Sequence, residues 1–323
     1  MKKNKELNTW SFIDQKLQNQ VPCYLMVIAE SKGSSPGRKG FKMAVSADGE
    51  LTGSIGGGSM EHSLVERCKR MLAEGDQSIF LKKETHHGNA ASPSGMICSG
   101  NQTVAFFPMG IDQLALVQNV LAVIHDLKSI QLQFSTKGID LMEEKADKKN
   151  ADFSSDDAAW SFTEVPGKQY EVYIVGGGHV SLALTQLLSM LDFRITVFDN
   201  RNQVNTFVEN AFAHEKQIIS YEEVGTHIPQ GQNIMVVIMT QFHSSDALVL
   251  EQLIKHNLGY LGMMGSQSKV KTIFAKLHDK GVSSNLLQGV HAPIGIEIKS
   301  QTPEEIAVSI AAELIATKNG KLN

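Results

Sequence analysis

Residues 171–199 narrow the fold more than any other part of this chain. Glu-Val-Tyr-Ile-Val (171–175) is a short β-rich run, followed by the glycine turn Gly176-Gly177-Gly178. Val180, Leu184, Leu187, Leu188 and Leu191 then recur at helical spacing, and Arg-Ile-Thr-Val-Phe (194–198) is a second strand ending at Asp199. Strand, glycine turn, helix, strand and acid in that order spell a βαβ dinucleotide unit. Gly176 makes the tight turn, Gly178 allows close approach to a pyrophosphate, and Asp199 stands where a ribose hydroxyl is read. Ser181 takes the place of the third glycine and is small enough for helix–strand packing. A plainer reading also fits: the glycines make a tight turn and Asp199 ends a strand.

Strand patterns at 233–240 and 259–264, with helical patterns near 244–256, 266–279 and 303–317, continue the alternation. Residues 166–323 therefore read as a Rossmann-like, doubly wound parallel sheet. The first half differs. Residues 21–30 and 41–47 have strand character, Asp48-Gly49 signals a hairpin into 51–55, and 77–82 and 103–107 are further strands. A helix is expected from residue 60 to about 72, capped by Ser59 with Glu61 in its first turn, and another over 111–127. These elements make an α+β domain of residues 1–135. Residues 142–157 are charged and rich in Ser and Asp, so 136–165 reads as a solvated linker. The fold class is α/β, an N-terminal α+β domain followed by the Rossmann-like domain.

A second glycine turn lies in the first half: Gly53-Ser-Ile-Gly56-Gly57-Gly58-Ser59-Met-Glu61. Glycine admits φ > 0 and close ligand approach, and a helix start offers unpaired N–H groups, so this too is a natural phosphate site. Composition narrows the rest. With 42% hydrophobic and 20% charged residues the 323-residue chain is an ordinary globular protein, and its net charge of −4 argues against nucleic acid. No apolar run is long enough to span a membrane, no apolar core follows the basic first residues, and the cytoplasm is the expected compartment. Cys23, Cys68 and Cys98 show no paired spacing, so no metal site is expected. Three cysteines also exclude a complete iron–sulfur molybdenum hydroxylase.

Gly33-Ser-Ser-Pro-Gly-Arg-Lys-Gly40 followed by the 53–61 turn resembles the XdhC/CoxI family. So does the ending Tyr260-Leu-Gly-Met-Met-Gly-Ser266, Lys269, His291-Ala-Pro-Ile-Gly295, Thr302-Pro-Glu-Glu-Ile-Ala307 and Ala312-Glu313. The resemblance covers roughly residues 25–108 and 171–317. It implies an accessory protein, rather than an enzyme with its own redox reaction. Such a protein binds the molybdenum cofactor (molybdopterin), promotes its sulfuration with a cysteine desulfurase, and delivers it to an apo molybdenum hydroxylase of the xanthine dehydrogenase type. A homodimer is often implied as well. Three positions depart from the family pattern. Ser59 stands where many relatives carry cysteine and cannot carry sulfur or ligate molybdenum softly. The run Thr240-Gln241-Phe242-His243-Ser244-Ser245-Asp246 lacks one family histidine, and Gln267-Ser268 replaces a basic pair, leaving Lys269.

On this resemblance the cofactor-binding candidates are Ser35, Arg38, Gly56, Gly57, Gly58, Ser59 and Glu61 in the first half. In the second they are Gly176, Gly178, Asp199, Gly265, Ser266, Lys269 and His291. Cys98 is the candidate for sulfur contact, with buried filler its competing reading. Arg38 and Lys42 could face a phosphate or simply be solvated. Glu305 reads as the far half of a capping box begun by Thr302. His86-His87 reads as loop polar groups, since neighbours on a strand point to opposite faces. His291 is either a site residue or a loop anchor. A nicotinamide-dependent oxidoreductase binding NAD(P) through Gly176, Gly178 and Asp199, with His243 as proton donor, is the alternative function. A regulatory protein that keeps the fold without sulfur chemistry is a third.

Overall fold

The computed structural model describes residues 5–86, 100–126, 130–143, 151–155, 159–167 and 169–320. The chain divides into two compact units between residues 168 and 169. The first contains α1 (Lys5–Gln18), β1 (Cys23–Gly33), β2 (Lys42–Ser46), β3 (Leu51–Gly53), α2 (Gly58–Glu74), β4 (Phe80–His86), β5 (Gly100–Met109), α3 (Leu114–Asp126), β6 (Ile130–Ser135), β7 (Gly138–Glu143), β8 (Ala151–Ser155) and β9 (Trp160–Glu164).

Strands β3-β2-β1-β5-β4 form one sheet, and the pairings of β1 and β5 within it are antiparallel. Strand β1 is apolar on both faces because helices cover both. Cys23, Leu25, Val27 and Ala29 pack with Trp10, Ile13 and Val117 of α1 and α3, while Tyr24, Met26 and Ile28 pack with Leu64, Val65 and Cys68 of α2. Alternation along one strand thus serves two cores.

Residues 136–165 are not a linker. Strands β7-β6-β9-β8 make a second antiparallel sheet across this region. Its Leu132, Phe134 and Phe162 are fully buried in the core of β1 and β5, with the Phe134 ring 5.5 Å from Phe107 and 5.7 Å from Phe162. Apolar burial at alternate positions outweighs the charge of the intervening residues. Helix α1 was not expected either, although Trp10, Ile13 and Leu17 share a helical face and are buried.

The second unit contains β10 (Tyr170–Val175), α4 (His179–Ser189), β11 (Phe193–Asp199), α5 (Asn205–Val208), β12 (Glu215–Ile218), α6 (Val224–His227), β13 (Gly231–Ile238), α7 (His243–Leu253), β14 (Leu258–Met263), α8 (Gln267–Asp279), α9 (Ser284–Gln288) and α10 (Pro303–Lys318). Its sheet is parallel throughout, in the order β12-β11-β10-β13-β14. Val172 and Ile174 face α4 and α10, whereas Tyr173 and Val175 face α6, α7 and α8, so the sheet is doubly wound. This is the Rossmann architecture the spacing predicts. The chain runs from β10 to β11 on one side and crosses to β13 on the other, so the switch point lies at the carboxyl end of β10.

Candidate functional site

In the first unit the glycine turn is built against a neighbouring loop. Gly56 has φ 128°, and a Cβ there would lie 2.7 Å from the Gly37 nitrogen. Gly37 is equally confined, its would-be Cβ falling 2.3 Å from the Ile55 carbonyl oxygen. Gln102, only 1% exposed, ties these segments together. Its Oε1 accepts from Ser35 Oγ (2.6 Å) and Gly37 N (3.3 Å), and its Nε2 donates to the Ile55 carbonyl (3.3 Å). Ser35 is therefore a buried strut of the turn, not a group presented to a ligand.

Helix α2 begins at Gly58 with Gly57 as its N-cap, so Ser59 lies inside the first turn instead of capping it. The reason is local: Gly57 (φ 74°) and Gly58 (φ 73°) provide a positive-φ entry, and a carboxylate does the capping. Glu61 Oε2 accepts from Ser54 Oγ (2.7 Å), Ile55 N (2.8 Å) and Gly57 N (2.9 Å). Burial works to raise the Glu61 pKa, but these donors outweigh it and hold the carboxyl below its ordinary value. Glu61 thus occupies the Gly57 amide, one of those the sequence offers to a phosphate. Beyond it, a Cβ at Gly57 would meet nothing within 4 Å.

The two basic candidates part company. The exposed Arg38 has no side-chain partner among the described residues. Lys42 is buried and pairs with Glu164 (2.5 Å) and Glu6 (3.0 Å), which excludes it from any ligand. Burial pushes the Glu164 pKa up to about 7 against the pull of Lys42. Cys98 and His87 lie outside the described residues.

In the second unit, a network of side chains runs along the carboxyl ends of the strands. Gly176 (φ 115°) turns so tightly that a Cβ would fall 2.3 Å from the Met239 carbonyl oxygen, whereas one at Gly178 would meet nothing within 4 Å. Gly178 caps α4, and the fully buried Asp199 accepts from Gly177 N at 2.7 Å. Arg201 then binds Asp199 through its Nε (2.9 Å) and Nη2 (2.9 Å), and reaches Gln241 Oε1 through Nη1 (2.6 Å). Asp199 is therefore not open to a ribose. Burial would raise its pKa, but the bonds from Arg201 and Gly177 hold it low.

Further along the edge, fully buried Asp246 accepts from Thr240 N (2.9 Å) and Thr240 Oγ1 (2.6 Å) and pairs with Lys269 Nζ (2.5 Å). Lys269 also donates to the Met264 carbonyl (3.1 Å), and its chain packs where a Gly265 Cβ would stand, 2.8 Å away. Ser266 caps α8 by accepting from Lys269 N (3.2 Å). Lys269 and Ser266 thus shape this edge. His243 opens α7, exposed and without a hydrogen-bond partner among the described residues, so nothing orients it as a proton donor.

His291 belongs to a separate cluster beside β14. Its Nδ1 lies 2.8 Å from Glu313 Oε1, while Glu313 Oε2 accepts from Tyr260 OH (2.7 Å) and Gly295 N. Burial, then the Glu313 carboxylate, push the Tyr260 phenol well above its ordinary value. The His291 backbone also accepts from Met263 N (2.9 Å) and donates to the Leu261 carbonyl (2.9 Å), which fastens the loop to β14. At the start of α10, Thr302 and Glu305 make the reciprocal capping box, and Glu305 also accepts from Gln301 N (2.6 Å).

Sequence reasoning missed Gln102, Arg201, Tyr260 and Glu313 as site-shaping residues. Arg201 had a signal: an arginine two positions past a strand-ending aspartate can fold back onto it. Gln102 had none, because its partners lie 42 to 67 positions away.

The family model described as the XdhC Rossmann domain matches residues 172–314, and that described as the XdhC and CoxI family matches residues 17–82. The chain is 26% identical over 309 residues to the uncharacterized protein YqeB of Escherichia coli, covering 94% of this chain and 45% of that protein. It thus spans less than half the length of that relative. It is 20% identical over 334 residues to a probable xanthine dehydrogenase subunit of Bacillus subtilis, covering 96% of this chain and 98% of that one. A crystal structure described as a xanthine dehydrogenase from Bacillus halodurans has the same fold, with a TM-score of 0.77 at 21% identity over 98% of this chain and 97% of that chain. With both units matched in the family's order, the chain belongs to the XdhC and CoxI family.

Proposed function

We propose that this chain is a maturation factor for a molybdenum hydroxylase of the xanthine dehydrogenase type, and that it holds the molybdenum cofactor by its phosphate at the start of α2. One observation carries the reading. Three successive glycines with positive φ open that helix, and Gly57 faces open space where a side chain would otherwise stand. The turn also lies within the segment matched by the XdhC and CoxI model. Glu61 keeps the amides of Ile55 and Gly57, so the phosphate would use the first amides of α2, with Arg38 on the loop whose Gly37 packs against Gly56. The cofactor, once bound, supplies the oxygen-transfer chemistry of the hydroxylase. This chain would bind, orient and release it.

Sulfuration would draw on a cysteine desulfurase. Burial pushes the thiols of Cys23 and Cys68 up to about 12, which makes both poor sulfur carriers and leaves Cys98 for that role. An oxidoreductase built on Asp199 and His243 has less support, because Arg201 occupies the acid and nothing orients the histidine.

The test is titration of the pure protein and its Gly57→Val and Gly178→Val variants with molybdopterin. Gly57→Val is expected to weaken binding about tenfold or more, about 1.4 kcal/mol, with Gly178→Val much less affected. Loss of binding in Gly178→Val alone would move the site to the second unit. Cys98→Ser should leave this phosphate-driven binding within about twofold, since one thiol makes no phosphate contact in the proposed arrangement.

A further inference from the structure

We propose that Arg201 makes the ribose end of the second unit's crevice a reader of phosphate monoesters in place of a ribose diol. The proposal concerns a different unit from the maturation reading and does not depend on it.

The argument starts from acceptor capacity. A carboxylate offers about four lone-pair positions, and an acid at Asp199 reads a ribose only if some are open. Here Oδ1 accepts from Arg201 N and Nε, both at 2.9 Å, and Oδ2 accepts from Gly177 N at 2.7 Å and Arg201 Nη2 at 2.9 Å. All are taken, and the residue is fully buried. A diol arriving there finds no acceptor.

It does find donors. A guanidinium carries five N–H groups in a rigid fork. Arg201 uses one on Nε, one on Nη2 and one on Nη1. One N–H therefore remains on each terminal nitrogen, and the side chain is 36% exposed. Two donors on adjacent nitrogens match two oxygens of a phosphate. Asp199 and Gln241 hold the fork in place, so little side-chain freedom is lost on binding. Asp199 also supplies the countercharge that keeps the planar group oriented, with Arg201 held fully cationic by that pairing.

Position completes the case. Strands β11 and β13 flank β10, so the bond from Arg201 to Gln241 crosses the turn at the end of β10. The fork therefore lies over the switch point, across the turn in which a Cβ at Gly178 would meet nothing within 4 Å. The phosphate could be the 2′-phosphate of a nucleotide or the terminal phosphate of a pterin, because the fork recognises the group and not its carrier.

The experiment compares pairs that differ only in that phosphate. The full chain is titrated with NADP+ and NAD+, then with the oxidised phosphopterin derivative of molybdopterin and its dephosphorylated form. A preference of about tenfold or more for the phosphorylated member of at least one pair is expected. Arg201→Lys, which keeps the charge but not the fork, should reduce it to about twofold. The double variant Asp199→Asn with Arg201→Gln, which leaves no buried charge unpaired, should abolish it while the thermal melt stays cooperative. The pair that responds identifies the carrier. Equal binding within both pairs, binding of none of the four, or a preference untouched by Arg201→Lys overturns the proposal. A phosphopterin preference lost in Gly57→Val but kept in Arg201→Lys overturns it while leaving the maturation reading intact.

Discussion

Glu61 is the nearest carboxylate to the glycine turn of the first unit, and it acts there as a resident anion. Its Oε2 gathers Ser54 Oγ and the amides of Ile55 and Gly57, so the entry to α2 is rigid before any ligand arrives. The direction of the pH effect follows from the depressed pKa. A carboxyl held below its ordinary 4.5 contributes its full stabilisation above that value and loses it as pH falls through the lower folded value. Protection of the Gly57 amide against hydrogen exchange should therefore be constant above about pH 5 and fall below it. In Glu61→Gln that fall should vanish, and the protein should be destabilised by about 1–2 kcal/mol, the difference between charged and neutral acceptors. An unchanged pH profile in the variant would mean that Glu61 does not anchor the turn.

At the scale of elements, the parallel sheet was legible because its signals are local. Strand, turn and helix of the β10–α4–β11 unit fall within 30 residues, and the α10 capping box within four. The sheet of β6 to β9 was not legible for the opposite reason. Its strands are short and separated by charged residues, and their apolar alternation makes sense only once Phe134 and Phe162 meet Phe107 of β5. The site divides in the same way. The glycines could be read from φ requirements alone, and Arg201 left a local signal two positions past Asp199, but the partners of Lys42 and Lys269 could not be read, because they lie across long sequence gaps. Gln102 is the extreme case, and it yields a prediction. Gln102→Leu would strip the acceptor from Ser35 Oγ and Gly37 N and the donor from Ile55 O, all within a buried junction. Destabilisation of about 2–3 kcal/mol is expected from those unsatisfied groups, read as a lower urea midpoint with an unchanged slope. A variant as stable as the parent would show that the junction is held by packing alone.

For the molecule as a whole, the question is whether a chain whose relatives carry the name xanthine dehydrogenase can oxidise xanthine itself. Cysteine supply decides it. Each iron–sulfur cluster of such an enzyme takes about four thiolate ligands. This chain has three cysteines. Cys23 and Cys68 are fully buried on opposite faces of the first unit's sheet, one toward α1 and α3 and the other on α2. Both thiols are pushed up to about 12, the reverse of what metal ligation requires. No group of three or more His, Cys, Asp or Glu side chains poised to hold a metal occurs among the described residues. The chain supplied with molybdopterin, molybdate, iron and sulfide should therefore form no urate from xanthine by absorbance at any enzyme concentration tested. Adding extract that contains an apo-hydroxylase should restore urate formation in proportion to the chain added, because on the maturation reading the chain delivers the cofactor. Sustained urate production by the pure chain would contradict both the cysteine argument and the maturation reading, and would require electrons to leave by a route these residues do not provide.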